Sequence, residues 1–413
     1  MIHVIGAGLA GSEVAYQLAI RNIHVTLHEM RPNVETGVHR SGDFAELVCS
    51  NSFKSEDVER NASGVLKREL ERLNSFVLNV ARKHAIPGGK ALVVDREGFS
   101  KEITKTLEGL SNLEIRREEI KCISDDDDIW IVASGPATSE PFYNWLKKNF
   151  GSAAHFFDAV APIIDASTVD MSKAFFANRY QNGKDYLNCP MTKEEYLRFR
   201  EALVNSEVIP VKGFDRKLLF SRCQPIEEIA RSGVDAMRYG PLKPLGLSRN
   251  GEKHYAVVQL RRDDAQGRMY NIVGFQTRLK WSEQKKIVHL IPGLENAKIL
   301  RYGVMHANVY LEPAKVMDEF FRARTDKRIF FAGQITGVEG YVESIASGLF
   351  VALNVLRMLS GKKLLSLPKR TMTGALFEYV LKTQDLKPMY ANFGLVKRKE
   401  IEEMPRFEEL LGR

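Results

Sequence analysis

The chain has 413 residues, 44% hydrophobic and 27% charged, with a net charge of +8 and a pI near 9.1. That length predicts two domains rather than one small core, and no uninterrupted apolar run approaches the roughly 20 residues that span a bilayer. Cys49, Cys122, Cys189 and Cys223 are widely spaced, with no CxxC and no Cys/His cluster at metal-ligand spacing; this argues against a metal site and against a reductase using neighbouring cysteines, and predicts a cytosolic protein with reduced thiols.

From the N-terminus, "IHVIGAG" reads as a buried strand running into glycines, "LAGSEVAYQLAIRN" as a helix with Ala10, Val14 and Leu18 on one face, and "IHVTLHE" as a second strand. This βαβ opening implies a parallel sheet. One long helix is expected from about Ala62 to His84, ended by "IPGGK". A strand "ALVVD", a helix "EGFSKEITKTLEGL" and a strand "DIWIVASGP" follow. Between about 167 and 307 the texture changes: the helical "TKEEYLRFREALVN" mixes with strand-like "AVVQLRR" and "YNIVGFQT". "RIFFAGQITG" then returns to the strand-then-glycine pattern, and "GYVESIASGLFVALNVLRML" is a helix. The expected organisation is a discontinuous first domain, 1–166 and 308–413, with 167–307 inserted. Beyond Gly361 the tail carries 11 Lys/Arg against 7 Asp/Glu.

Gly6, Gly8 and Gly11 stand at GxGxxG spacing between strand and helix. The first makes a tight turn, the second lets backbone approach a pyrophosphate, and the third lets helix pack on strand, with the phosphates at the helix N-terminus. Glu29 ends the second strand, where a carboxylate binds an adenosine ribose and disfavours a 2′-phosphate. The closing "IFFAGQITGVEGY" selects FAD among dinucleotides. Gly333 and Gly340 give a second strand-to-helix junction whose helix N-terminus stabilises charge on a reduced flavin. Many flavoproteins carry Asp where Gln334 stands.

In "SRCQPIEEIARSG", Pro225 suits a first helical turn and Gly233 a stop. Cys223 then sits at or just before a helix N-terminus beside Arg222, both of which favour thiolate. Cys49 lies in the polar run "CSNSFK", which reads as a loop. Cys122 in "IKCIS" is expected in an apolar strand, and Cys189 in "NCPMT" is expected to be structural. Arg96 and Asp95 in "VDREG" fit either a functional role or a structural turn.

Together these segments resemble the TrmFO family of folate- and FAD-dependent tRNA uracil-5-methyltransferases. The residues that carry the resemblance are "GAGLAGSEVA", "CSNSFK", "ALVVDREGFS", "VASGPATS", "FFDAVAPII", "LNCPMTKEEY", "CQPIEEIA", "MRYGPLKPLGL", "GFQTRLKW", "RYGVMHAN", "FAGQITGVEGYVES" and "ANFGL", in order along nearly the whole chain. The resemblance implies an α/β fold: a Rossmann-like FAD-binding domain of a GR2-type flavoprotein with an inserted α+β domain. It implies that methylenetetrahydrofolate donates a one-carbon unit, carried by FAD to C5 of the T-loop uridine (position 54) of tRNA, with NADH or NADPH as reductant, giving 5-methyluridine. Cys223 matches the family's nucleophile and Cys49 its second active-site cysteine, a proton-handling or flavin-guarding group. Such chemistry needs a thiolate adding at C6 to make C5 nucleophilic, then a base to remove the C5 proton. The expected cofactor contacts are Gly6, Gly8, Gly11, Glu29, Arg31, Gly333, Gln334, Gly340 and Tyr341, with Tyr341 against the isoalloxazine. His306 and Asn308 face folate or uracil, and no metal or membrane takes part. The T-arm of tRNA is held through phosphates on a basic face, with Lys397, Arg398 and Lys399 as candidate contacts. The alternatives are an enzyme of the related MnmG type acting on the wobble uridine, a small-molecule NAD(P)H flavin oxidoreductase, and a flavoprotein that only binds RNA.

Overall fold

A computed structural model describes residues 1–151, 153–179, 182–210, 224–249 and 251–412, with backbone alone for 153–158 and 306–307. Five parallel strands form the first sheet, in the order Ile329–Phe331, Ile129–Val132, Ile2–Ile5, Val25–His28 and Leu113–Arg116. The four residues of Ile2–Ile5 and of Val25–His28 are buried throughout, as expected where helices cover both faces of a parallel sheet. The strand nearest the C-terminus therefore pairs beside Ile129–Val132, and the sheet is complete only after the chain returns.

The chain leaves this region along Ala153–Ala159 and comes back along Met305–Leu311, the two paired antiparallel over seven residues. Between them lies a second sheet of six strands, ordered Phe175–Phe176, Tyr186–Met191, Ala256–Arg262, Met269–Ile272, Ile163–Asp165 and Ile299–Arg301. Its pairings are antiparallel. Helices Lys193–Asn205, Ile226–Ser232 and Trp281–His289 close over it and bury Phe199, Ile226 and Ile287 in a separate core. The fold is thus α/β with a parallel dinucleotide-type sheet and an interposed antiparallel unit.

In the first region, helix Tyr341–Leu359 packs along the opening helix Leu9–Ala19. A Cβ on Gly348 would lie 2.6 Å from the Ala10 carbonyl oxygen, so glycine sets how closely the two backbones approach.

Two local expectations are corrected. The stretch from Ala62 to His84 is two helices, Ala62–Arg72 and Phe76–Lys83. Asn74 breaks the run with φ +54° and Ser75 accepts a hydrogen bond from the Leu78 N–H as the new N-cap. Buried Glu13 fixes the break, accepting from Ser75 Oγ and the Phe76 and Val77 N–H groups. A long apolar stripe cannot reveal a carboxylate some 60 residues away that satisfies a second helix start. Cys122 is exposed and in no strand, because the apolar "I…I" pattern around it is too short to outweigh its charged neighbours.

Candidate active site

The opening turn is built by its glycines. Gly6 has φ +96°, and a Cβ on Gly11 would sit 1.8 Å from the Gly6 carbonyl oxygen. At Gly8 a Cβ would meet nothing within 4 Å, since that face looks into an open crevice. Ile5, Gly6, Gly8, Glu29 and Arg31 line one side of the crevice, and Ser134, Gly135, Gly333, Gln334 and Tyr341 the other. The open face at Gly8 and the helix start behind it fit a ligand pyrophosphate.

Glu29 is buried, and it accepts from Ala7 N–H at 2.9 Å, Arg31 N–H at 3.0 Å and Arg31 Nε at 2.9 Å. Burial would raise its carboxyl, but the Arg31 guanidinium and these donors outweigh burial and hold it below the ordinary carboxylate range. Arg31 reaches on to the Ser41 carbonyl and to Glu46. Gly333, at φ +82°, donates its N–H to Ser347 Oγ at 2.6 Å, and Gln334 hydrogen-bonds Glu339.

"CSNSFK" directly follows Val48, which is part of the crevice lining. The Tyr341 hydroxyl donates to the Ser50 carbonyl at 2.8 Å and accepts from the N–H groups of Cys49 and Ser50 at 3.2 and 3.0 Å. The first turn of the closing helix therefore holds the Cys49 loop. The Tyr341 ring also packs on buried Phe53, with centroids 5.5 Å apart. Cys49 is half-buried, its Sγ 3.7 Å from the carbonyl of Ala159, the last residue of the outgoing strand of the antiparallel ribbon.

Sequence reasoning missed most of the groups that hold this loop. Arg261 donates to Asn51 Oδ1 at 3.0 Å and Ser50 Oγ at 2.8 Å, from a strand of the second sheet. Arg96 forms a buried two-pronged pair with Asp263, at 2.9 and 3.1 Å, and donates to the Leu47 and Val48 carbonyls. Burial alone would lower the Arg96 guanidinium, but Asp263 outweighs it and holds it above the ordinary value. Asp95 caps the helix that follows, so "VDREG" is a turn that also anchors the loop. Two arginines ending an otherwise buried strand, "AVVQLRR", were the available signal, since buried arginine needs a partner.

Lys54 pairs with buried Glu343 at 3.1 Å, and Glu343 also accepts from the Ala391 N–H. Lys67, 1% exposed, donates to the carbonyls of Phe53, Ser55 and Ser63 at 2.7–3.1 Å. Burial brings its ammonium down to about 8. Lys67→Met leaves these acceptors short and is expected to cost about 2 kcal/mol, read as a lowered urea midpoint with an unchanged slope.

Other expected residues fall as follows. Cys223 lies outside the described residues, two positions before Pro225, the N-cap of Ile226–Ser232. His306 stands in strand Met305–Leu311 opposite Asp158, its side chain outside the described set. Asn308 in the same strand is buried, and its Oδ1 finds no donor among the described residues. Cys189 is buried in the second core, its thiol pushed up to about 12 by burial. Gly340, φ +122°, precedes Tyr341 and lies over Glu343 and Lys54. Arg398 donates to the Val58 carbonyl and pairs with Glu59, and Lys397 pairs with Glu400.

A glycine turn, a carboxylate at the second strand end and a closing strand-to-helix junction over one crevice define a dinucleotide-binding α/β protein with an interposed sheet. Comparison with known proteins sharpens this. The family described as "Glucose inhibited division protein A" (GIDA) matches residues 1–363. The structure of Aquifex aeolicus GidA superposes with a TM-score of 0.72 at 16% identity, covering 100% of this chain and 72% of that one. Methylenetetrahydrofolate–tRNA-(uracil-5-)-methyltransferase TrmFO of Pseudothermotoga lettingae is 58% identical over 401 residues, 96% of this chain and 90% of the relative. The TrmFO of Thermotoga maritima is 57% identical over 414 residues (99% and 95%), and that of Fervidobacterium nodosum 52% over 422 (99% and 98%). The chain belongs to the GIDA family and, within it, to TrmFO.

Proposed function

We propose that this chain uses methylenetetrahydrofolate and bound FAD to methylate C5 of the T-loop uridine (position 54) of tRNA, with NADH or NADPH as reductant. The observation that carries the reading is identity of 52–58% to TrmFO over nearly the full length of both chains. The crevice fits FAD: Gly6, Gly8 and Gly11 would take the pyrophosphate, Glu29 and Arg31 the adenosine side, and Gly333, Gln334, Gly340 and Tyr341 the flavin side. When bound, FAD supplies a reducible ring for the one-carbon unit and the electrons.

The protein's own part is acid–base and nucleophilic. Cys223 as thiolate adds to uracil C6, and the electron pair moves to C5, which attacks the one-carbon electrophile. A base then takes the C5 proton, the C6–S bond breaks, and Cys223 is freed. Cys49, on a loop held by Tyr341, Arg96 and Arg261 next to the crevice-lining Val48, handles that proton or guards the cofactor. The region 167–307 serves as the substrate side, since Arg261 and Asp263 come from it and reach that loop. The flipped uridine enters between the two regions, with the RNA held mainly through phosphates.

Incubating FAD-loaded protein with unmodified tRNA, methylenetetrahydrofolate and NADPH is expected to yield 5-methyluridine in nucleosides from the T-arm fragment. Modification confined to the anticodon loop would support the MnmG-type alternative instead.

A further inference from the structure

A second cavity of about 470 Å³ opens beside the cofactor crevice, within the range of small-ligand sites. Arg31, Thr36 and His39 line both, so the two adjoin. Of the residues assigned to FAD, Arg31 alone borders this groove, at the side it shares with the crevice. On one side lies the loop from Thr36 to Gly42, and on the other Trp281 and Tyr302. Their rings stack with centroids 5.2 Å apart at 15°, and Trp281 stays 59% exposed although it begins a helix that packs on the second core. An aromatic surface that open is spare capacity for stacking on a planar ligand.

The charges are equally one-sided. Arg31, Arg40 and Arg301 line the groove, against Glu35 as its carboxylate among the described residues. Arg301 is buried and donates to the Val38 carbonyl at 2.9 Å, and exposed Arg40 donates to the Leu300 carbonyl at 3.3 Å. Neither forms an ion pair among the described residues, unlike Arg31 and Arg96. Burial, with Arg96 and Arg40 close by, outweighs the nearby carboxylates Asp263 and Glu46 and brings the Arg301 guanidinium down to about 10. A buried arginine ordinarily has an anionic partner, and guanidinium pairs suit phosphate.

We propose that this groove binds the nicotinamide dinucleotide reductant, with its adenine on the Trp281–Tyr302 stack and its phosphates at Arg40 and Arg301. A base beside phosphates matches an aromatic surface beside guanidinium groups that form no ion pair among the described residues, and the groove adjoins the crevice that would hold the flavin. The assignment rests on the reading of NAD(P)H as reductant.

The test uses FAD-loaded wild type, Trp281→Ala and Arg40→Gln, both substitutions being at exposed positions. NADP⁺ binding is measured by calorimetry, and flavin reduction by NADPH and NADH by anaerobic stopped flow, with tRNA and folate affinities measured alongside. Loss of one stacking surface or one phosphate contact is expected to raise the dissociation constant about tenfold, leaving the limiting reduction rate and the tRNA and folate affinities at wild-type values. Unchanged NADP⁺ affinity in both variants would overturn the assignment, as would loss of tRNA or folate affinity in its place. A wild type reduced by neither nicotinamide would instead overturn the reductant reading, and the groove with it.

Discussion

A Gly8→Ala protein is expected to fold with wild-type stability and yet purify with little flavin. The two halves of that result have separate causes. Gly8 has φ −72° and ψ −170°, a conformation open to alanine, and its added Cβ would touch nothing within 4 Å. Nothing in the folded chain therefore opposes the methyl group. The space it would fill is the one a pyrophosphate needs at the start of the first helix. Gly11→Ala should behave differently. Its Cβ would lie 1.8 Å from the Gly6 carbonyl oxygen, so strand and helix must separate, and both melting temperature and flavin content should fall. A misfit of about 1.4 kcal/mol already weakens binding tenfold, so absorbance near 450 nm per mole of protein reads both variants. Retention of full flavin content by Gly8→Ala would remove the cofactor from this turn.

Cys223→Ser and Cys49→Ser should both stop methylation, by different routes. Without the Cys223 thiolate the uracil ring is not activated, so the covalent protein–RNA adduct seen with a 5-fluorouridine tRNA should vanish in a denaturing gel while flavin content stays normal. Without the Cys49 thiol, the adduct should still form and product release or the flavin spectrum should change. The Cys49 backbone is held by Tyr341, with Arg96 and Arg261 securing the residues on either side, so serine should keep the loop in place. Methylation at more than about one-hundredth of the wild-type rate in Cys223→Ser, a loss of under about 2.7 kcal/mol in barrier terms, would rule out its role as nucleophile.

Four of the five strands of the parallel sheet were legible in the sequence, because Ile2–Ile5, Val25–His28, Ile129–Val132 and Ile329–Phe331 are short, largely buried runs and three of them lead into glycine, a pattern that depends on local residues alone; Leu113–Arg116, with Leu113 as its one buried residue, gave no such signal. The same locality explains the failures. The break at Asn74 and Ser75 depends on Glu13, and the Cys49 loop depends on Arg96 and on Arg261 and Asp263, from two distant segments. Cys122 was misplaced because hydrophobic neighbours were weighed without knowing which surface would cover them. Tyr341 was expected to present its ring to the flavin; its hydroxyl also anchors Cys49 and Ser50, a contact no spacing rule connects across some 290 residues.

The central claim is that the methyl carbon of the product comes from folate and is placed on a T-loop uridine by this chain. FAD-loaded protein, an unmodified tRNA transcript, NADPH and methylenetetrahydrofolate labelled with ¹³C at the methylene carbon provide the direct measurement. The account predicts 5-methyluridine one mass unit heavier than the unlabelled nucleoside, at position 54 of the tRNA. Flavin that is reduced by NADPH while every uridine of the tRNA stays unlabelled would contradict it.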